Sequence, residues 1–362
     1  MLPPLFAVWL EHALHLPIPL EPRSTCNDCA MVAAPGREPP TVPFRAETKC
    51  CTYQPDLANF QVGGILVGAT AERAAGAAPT LAWANDVLDM RIARRTGITP
   101  AGISADALGG LIYERIVGPS MPAFGRTKEA RCPYYLVQGG RCGVWQHRNA
   151  ICSTWFCRFE RGIRSKVFWR AVQGLLRGLE RTVSTHVMLS LDVGAAALEA
   201  MLFRDQRPDG AVTDAVMPID AKAYQRLWGE WAGRERAYYS HAYHIASALT
   251  GAEVVRLGGS ELAVLIQIAA HARARLDDNE LPARVSASPD VLYQIGPRRV
   301  RAAPAGLGYD PLELDRAVFD RASQWRDEPV HAIIAGDADT PAVDAATVRR
   351  MLDYGVLIPG AE

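Results

Sequence analysis

Apolar positions along this chain recur mostly at helical spacing, in segments separated by Pro-, Gly- and Asp-containing breaks. Pro3 and Pro4 open a short helix over LFAVWLEHAL, which Pro17 and Pro19 stop. LANFQVGGILVGA reads as a strand or a helix packed closely through Gly63, Gly64 and Gly68. Thr80 is placed as the N-cap of a helix over TLAWANDVLDMRIARR, with Gly97 past its end, and Ser104 caps a further helix that ends near Gly118 and Pro119. Downstream, Phe168, Val172, Leu175, Leu176 and Leu179 mark one face of another helix. Asp220 caps a long helix that keeps Gly229 and Gly233 inside it and ends at Gly251, and a third helical run follows Gly258.

From about Ser286 the texture changes: VLYQI and RRVRAA read as short strands, followed by two or three short helices and a final strand. That order is similar to a winged-helix module; an α+β extension packed on the helical body accounts for it equally. The expected fold class is therefore mainly α (α+β). An irregular cysteine-rich half covers residues 1–162, a helical region packed on it covers 163–285, and a small winged-helix-like module covers 286–362.

At 362 residues the chain is long enough for a substantial apolar core without covalent staples. Its 39 basic and 39 acidic side chains balance, which removes a general electrostatic case for nucleic acid or an anionic membrane. The N-terminus lacks the pattern of a signal peptide, and the apolar windows Val193 to Phe203 and Leu262 to Ala270 are too short to span a bilayer. A soluble cytoplasmic protein without a membrane partner is expected, in a compartment where thiols stay reduced.

All 8 cysteines lie in the first half of the chain: Cys26 and Cys29, the adjacent Cys50 and Cys51, then Cys132, Cys142, Cys152 and Cys157. Two residues between Cys26 and Cys29 let a turn aim both sulfurs at one centre, and Asn27 and Asp28 favour that turn. Cys50 and Cys51 would point to opposite sides of an extended chain, so they serve different centres or need a turn of their own. The spacings miss the usual ferredoxin runs and zinc-ribbon knuckles. The stoichiometry suits two four-cysteine sites, or one richer centre with thiols left over; inert packing is the alternative.

The order C-x-x-C, then C-C, a lone Cys132, Cys142-Gly143-Val144-Trp145-Gln146-His147-Arg148, and finally Cys152 and Cys157 resembles the YkgJ-like, or CxxCxxCC, family of zinc- or iron-chelating proteins. The resemblance covers about residues 24 to 160. Two features depart from the family pattern: a Pro-rich insertion separates Cys29 from Cys50, and Arg148-Asn149 stands where Arg-Pro is usual. The resemblance implies metal chelation by Cys26, Cys29, Cys50, Cys51, Cys132, Cys142, Cys152 and Cys157. The cofactor this implies is an iron–sulfur cluster or zinc, in a redox or maturation role or as structural support. Proteins with a similar cysteine arrangement include lysine N-methylases that act on flagellin. The alternative is thus an enzyme modifying a protein or peptide partner, although no glycine-rich S-adenosylmethionine loop is present. No catalytic residue is assigned.

Other candidates carry less. His147 lies midway between Cys142 and Cys152, where a supporting or surface role is expected. His241 and His244 lack the Glu of an H-E-x-x-H motif and read as structural. Glu235 sits among aromatics and is expected to pair with a nearby Arg such as Arg234 or Arg236. Arg158, Arg161 and Arg164 either offset thiolate charge or form a solvated stripe. DNA binding through the C-terminal module is not expected, because its helices are not strongly basic.

Overall fold

The computed structural model describes residues 2–36, 40, 42–76, 80–105, 111–117, 123–202, 220–304, 307–338 and 340–360. The fold is mainly helical with small antiparallel sheets, as the hydrophobic spacing predicts. Its two compact units interleave along the chain. The first comprises Met1–Pro19, Cys26–Trp155 and Gln173–Gln267; the second comprises Leu20–Thr25, Phe156–Val172 and Ile268–Glu362.

The first unit opens with α1 (Pro4–Leu14), whose Pro sits in the first turn, where its missing N–H costs nothing. β1 (Leu57–Ala58) leads into α2 (Asn59–Ala74), followed by α3 (Ala82–Arg94), β2 (Ile98–Thr99) and β3 (Gly102–Ile103). The three strands pair antiparallel in the order β1-β3-β2. Beyond them come the hairpin of β4 (Tyr135–Leu136) and β5 (Arg141–Cys142) and a short α4 (Ala150–Thr154). The longest helix among the described residues, α5 (Gly162–Ser190), of which residues up to Val172 belong to the second unit, buries Phe168, Val172, Leu175, Leu176 and Leu179, the face read from the sequence. Next come α6 (Ala195–Leu202), α7 (Ala221–Trp228), α8 (Glu235–Ala248) and α9 (Gly251–Asp277).

The core of the first unit forms where α2 packs against α8. A Cβ on Gly63 would fall well inside contact distance of the Tyr239 carbonyl oxygen, so a residue without a side chain is needed there. Around this contact Trp228, Tyr238 and Tyr239 are fully buried and meet edge to face.

Several expected boundaries moved. The N-cap of α3 is Leu81; the Thr80 hydroxyl donates instead to the Glu72 carboxylate. Asp220 does cap a helix, accepting from Lys222 N and Ala223 N, but that helix ends at Trp228. Gly229 and Gly233 adopt φ of 52° and 81°, a left-handed region that breaks a helix, and so divide the expected long helix into α7 and α8. The start and the end of the helix expected after Ser104 lie outside the described residues; a π-helical turn, Tyr113–Val117, falls between them. The run after Gly258 begins earlier, at Gly251, with a non-helical break at Gly259. Among the described residues α9 alone has the length and hydropathy of a membrane-crossing helix, and Val264 and Ile268 on it are exposed.

The second unit holds β6 (Arg284–Ala287), β7 (Val291–Ile295), β8 (Arg299–Pro304), β9 (Leu312–Asp315), α10 (Arg316–Ala322), β10 (Glu328–Pro329), α11 (Val330–Ala335), α12 (Ala345–Asp353) and β11 (Leu357–Pro359). They form two sheets, β10-β6-β11 and β7-β8-β9. VLYQI and RRVRAA are strands as expected; the Leu-Glu-Leu expected within a helix is β9, and Asp315 after it caps α10. Buried Asp310 ties the unit together, accepting from both terminal nitrogens of Arg23 at 3.1 and 2.8 Å, from Tyr354 Oη at 3.0 Å and from Phe159 N at 3.2 Å.

Candidate functional site

Turns and short elements of the first unit gather seven of the thiols. Cys26 and Cys29 lie in a run of turns from Cys26 to Met31. Cys50 and Cys51 lie in another, from Ala46 to Thr52, bent by Lys49 in the left-handed region (φ 48°) and by a 3.0 Å bond from Cys51 N to Thr48 O. The turn overrides the opposite-facing geometry of an extended pair, and a side-chain hydrogen bond joins Cys50 to Cys51. Cys132 N donates to Cys51 O at 2.8 Å. Cys142 stands opposite Tyr135 in the β4–β5 hairpin, whose Tyr135 hydroxyl donates to Ala46 O at 2.5 Å. Cys152 lies in α4, its N–H capped by Asn149 Oδ1 at 2.9 Å.

All these cysteines are free thiols. Burial pushes Cys26 and Cys142 up to about 11 and raises Cys29, Cys132 and Cys152 as well. For Cys50 the bond to Cys51 is the largest cause, followed by burial. For Cys51 that same bond pulls down, while burial together with Cys132, Cys142 and Cys152 pushes the thiol above its ordinary range. Repulsion between neighbouring thiolates adds to these shifts: Cys26 feels Cys50 and Cys29, Cys132 feels Cys152 and Cys142, and Cys152 feels Cys142 and Cys50. Each of the seven thiols thus acts on at least one other, and burial favours their protonated form.

Two buried cations share the site. The Lys49 ammonium donates to Cys26 O at 2.7 Å and to Gly140 O, clamping the first thiol loop to the β4–β5 turn. Arg148 is 8% exposed, stacks on the Trp145 ring at 3.5 Å, and donates from Nε to Trp145 O and from Nη1 to Cys152 O, each at 3.1 Å. Burial lowers its pKa, and Cys142, Cys26, Cys152 and Cys50 oppose that shift. Behind it, Gln61 Nε2 donates to Arg148 O at 3.1 Å and to Glu180 Oε1 at 3.0 Å. Glu180 Oε1 also accepts Ala150 N at 2.8 Å, and burial pushes this carboxyl up to about 7.

His147 does not point at a thiol in any described contact. Its ring lies over Gly64 and edge-on to Tyr243, and burial pushes it down to about 4, so it is neutral at pH 7. Cys157 belongs to the second unit, where its sulfur lies 3.4 Å from Ser24 Oγ. Arg161 and Arg164 of the same unit are not a solvated stripe: both pair with buried Asp353, at 3.0 and 3.2 Å. Glu235 accepts from Tyr224 Oη at 2.9 Å and Gly233 N at 2.7 Å, whereas Arg234 stacks on Trp231 and Arg236 pairs with Asp89.

Among the described residues no group of three or more His, Cys, Asp or Glu side chains stands ready to hold a metal ion. The roles of Lys49 and Glu180 escaped the sequence reading. A Lys directly before a Cys-Cys pair was a signal for the first; nothing local marks the second. The chain matches no family model, no curated protein and no solved structure.

Proposed function

We propose that the protein binds metal through thiolates of its first unit, as an iron–sulfur cluster or zinc. The reading rests on one observation: the segments carrying the free thiols Cys26, Cys29, Cys50, Cys51, Cys132, Cys142 and Cys152 are tied together by the Cys132 amide on the Cys51 carbonyl, by Tyr135 on the Ala46 carbonyl and by Lys49 on the carbonyls of Cys26 and Gly140. The donor chemistry fits soft, thiophilic metals. Cys26 and Cys29 on one turn, and Cys50 and Cys51 on another, would hold the metal from the upstream side; Cys132, Cys142 and Cys152 would hold it from the downstream side. The bound metal would supply either a one-electron couple or a rigid cross-link.

The chain's own residues do the rest. Asn149 fixes the start of α4 and thereby Cys152; Lys49 fixes the Cys26 loop; Tyr135 fixes the β4–β5 hairpin to the turn that carries Cys50 and Cys51. The order of the cysteines is what supports a YkgJ-like reading, and a cytoplasmic setting is read from the free thiols. For residues 286–362 we read a winged-helix-like module, on the strength of short helices beside antiparallel strands.

Anaerobic purification followed by metal and sulfide analysis and an absorption spectrum tests the proposal. Iron with sulfide and visible charge-transfer bands, or stoichiometric zinc without colour, supports it. A protein that carries neither and takes up neither on reconstitution overturns it.

A further inference from the structure

We propose that β7, the edge strand Val291–Ile295, pairs antiparallel with β7 of a second copy of this chain, joining two β7-β8-β9 sheets across a twofold axis at Tyr293. Among the described residues β7 is bonded to β8 alone, so its other edge is open. The hairpin fixes which groups face that edge. Gly296 N donates to Arg299 O at 2.9 Å, and from this closing pair antiparallel alternation makes Gln294–Arg301 and Leu292–Ala303 the bonded pairs within the sheet. The backbone N–H and C=O of Val291, Tyr293 and Ile295 therefore point away from β8.

Edge strands that must stay single usually carry a Lys, a Pro or a bulge. VLYQI has none of these, and its register with β8 runs unbroken from Val291–Pro304 to Ile295–Val300. It leaves apolar side chains at the open edge instead: Leu292 is 77% exposed and Ile295 57%. A second copy fits because the edge is complementary to itself. About an axis at Tyr293 the two tyrosines meet, Val291 lies opposite Ile295 of the second copy, and every outward donor faces an outward acceptor. Tyr293 packs on Phe319 of α10 with ring centroids 4.7 Å apart, on the sheet face of buried Val300, Ala302, Leu312 and Leu314. Pairing carries that apolar face on into the second copy. The ends match in charge as well: exposed Asp290, just before the strand, comes beside the turn of the second copy that carries exposed Arg298.

Sedimentation equilibrium of the full chain from about 1 to 100 µM tests the pairing, in wild type, Ile295→Pro, Ile295→Lys, Asp290→Arg and the double variant Asp290→Arg with Arg298→Asp. Ile295→Pro removes an outward N–H and no bond to β8, while Ile295→Lys puts a charge on the edge. Wild type is expected to reach twice the chain mass, and both Ile295 variants to dimerise at least roughly tenfold more weakly. Asp290→Arg is expected to weaken the dimer too, and the double variant to recover most of that loss. Circular dichroism and the unfolding midpoint check folding; should Ile295→Pro unfold, Ile295→Lys and the charge exchange decide. A wild type that stays monomeric throughout overturns the proposal, whether or not an extended peptide adds to this edge. Dimerisation within about twofold of wild type in both Ile295 variants overturns it as well, since the contact would then lie elsewhere. A double variant no tighter than Asp290→Arg overturns the twofold arrangement.

Discussion

The amide of Cys132 donates to the carbonyl of Cys51 at 2.8 Å, although α2 and α3 lie between them in the chain. This bond joins the upstream and downstream thiol segments through backbone, so their proximity does not depend on a ligand. The thiols are unequally accessible, Cys26 exposed and Cys132 buried. In metal-free, reduced protein treated with iodoacetamide at pH about 8, Cys26 is expected to be alkylated first, at least roughly tenfold faster than Cys132. Peptide mass mapping over time reads the order; equal rates would show that the downstream segment is not packed as described.

Glu180 makes stability depend on pH. Its carboxyl, pushed by burial from 4.5 to about 7, binds its proton more tightly in the folded chain than in the unfolded one. The folded form is therefore favoured below pH 4.5, and that contribution, up to about 3 kcal/mol, is lost as pH rises from 4.5 through 7. Glu180→Gln keeps an oxygen for Ala150 N and has no proton to lose. Urea unfolding of the two proteins across pH 4 to 8 is expected to show the variant flatter in this window and more stable at its upper end.

Gly63→Ala is expected to destabilise the first unit by roughly 1–3 kcal/mol or more, because the added methyl meets the Tyr239 carbonyl and the Tyr243 side chain, and α8 must shift. Thermal unfolding followed at a helical band checks this. An unchanged midpoint would mean that the two helices are not held this close.

Much of the helical scaffold was legible from the sequence because the face Phe168, Val172, Leu175, Leu176 and Leu179 is buried as its spacing requires. The Asp220 cap was legible for a similar reason, a side-chain oxygen acting on its own neighbourhood. What failed was local geometry decided elsewhere. Propensity tolerates Gly229 and Gly233 inside a helix, yet both turn left-handed where the Glu235 carboxylate accepts the Gly233 amide and the Tyr224 hydroxyl. Thr80 lost its expected role to Glu72, a residue of the preceding helix. In the site, the cysteine pattern announced itself by composition, whereas Glu180 works through Gln61 and Ala150, a three-dimensional link with no spacing to read.

Lys49 meets two demands that pull in opposite directions. Its backbone sits in a region that costs an L-residue about 1 kcal/mol and that glycine occupies freely, while its ammonium reaches carbonyls that glycine would leave without a donor. Selection for a sturdier turn and selection for an intact Cys26 loop therefore push position 49 in opposite directions. A Lys49→Gly change that survived in a laboratory stability screen would mark the relaxation of whatever the loop is kept for.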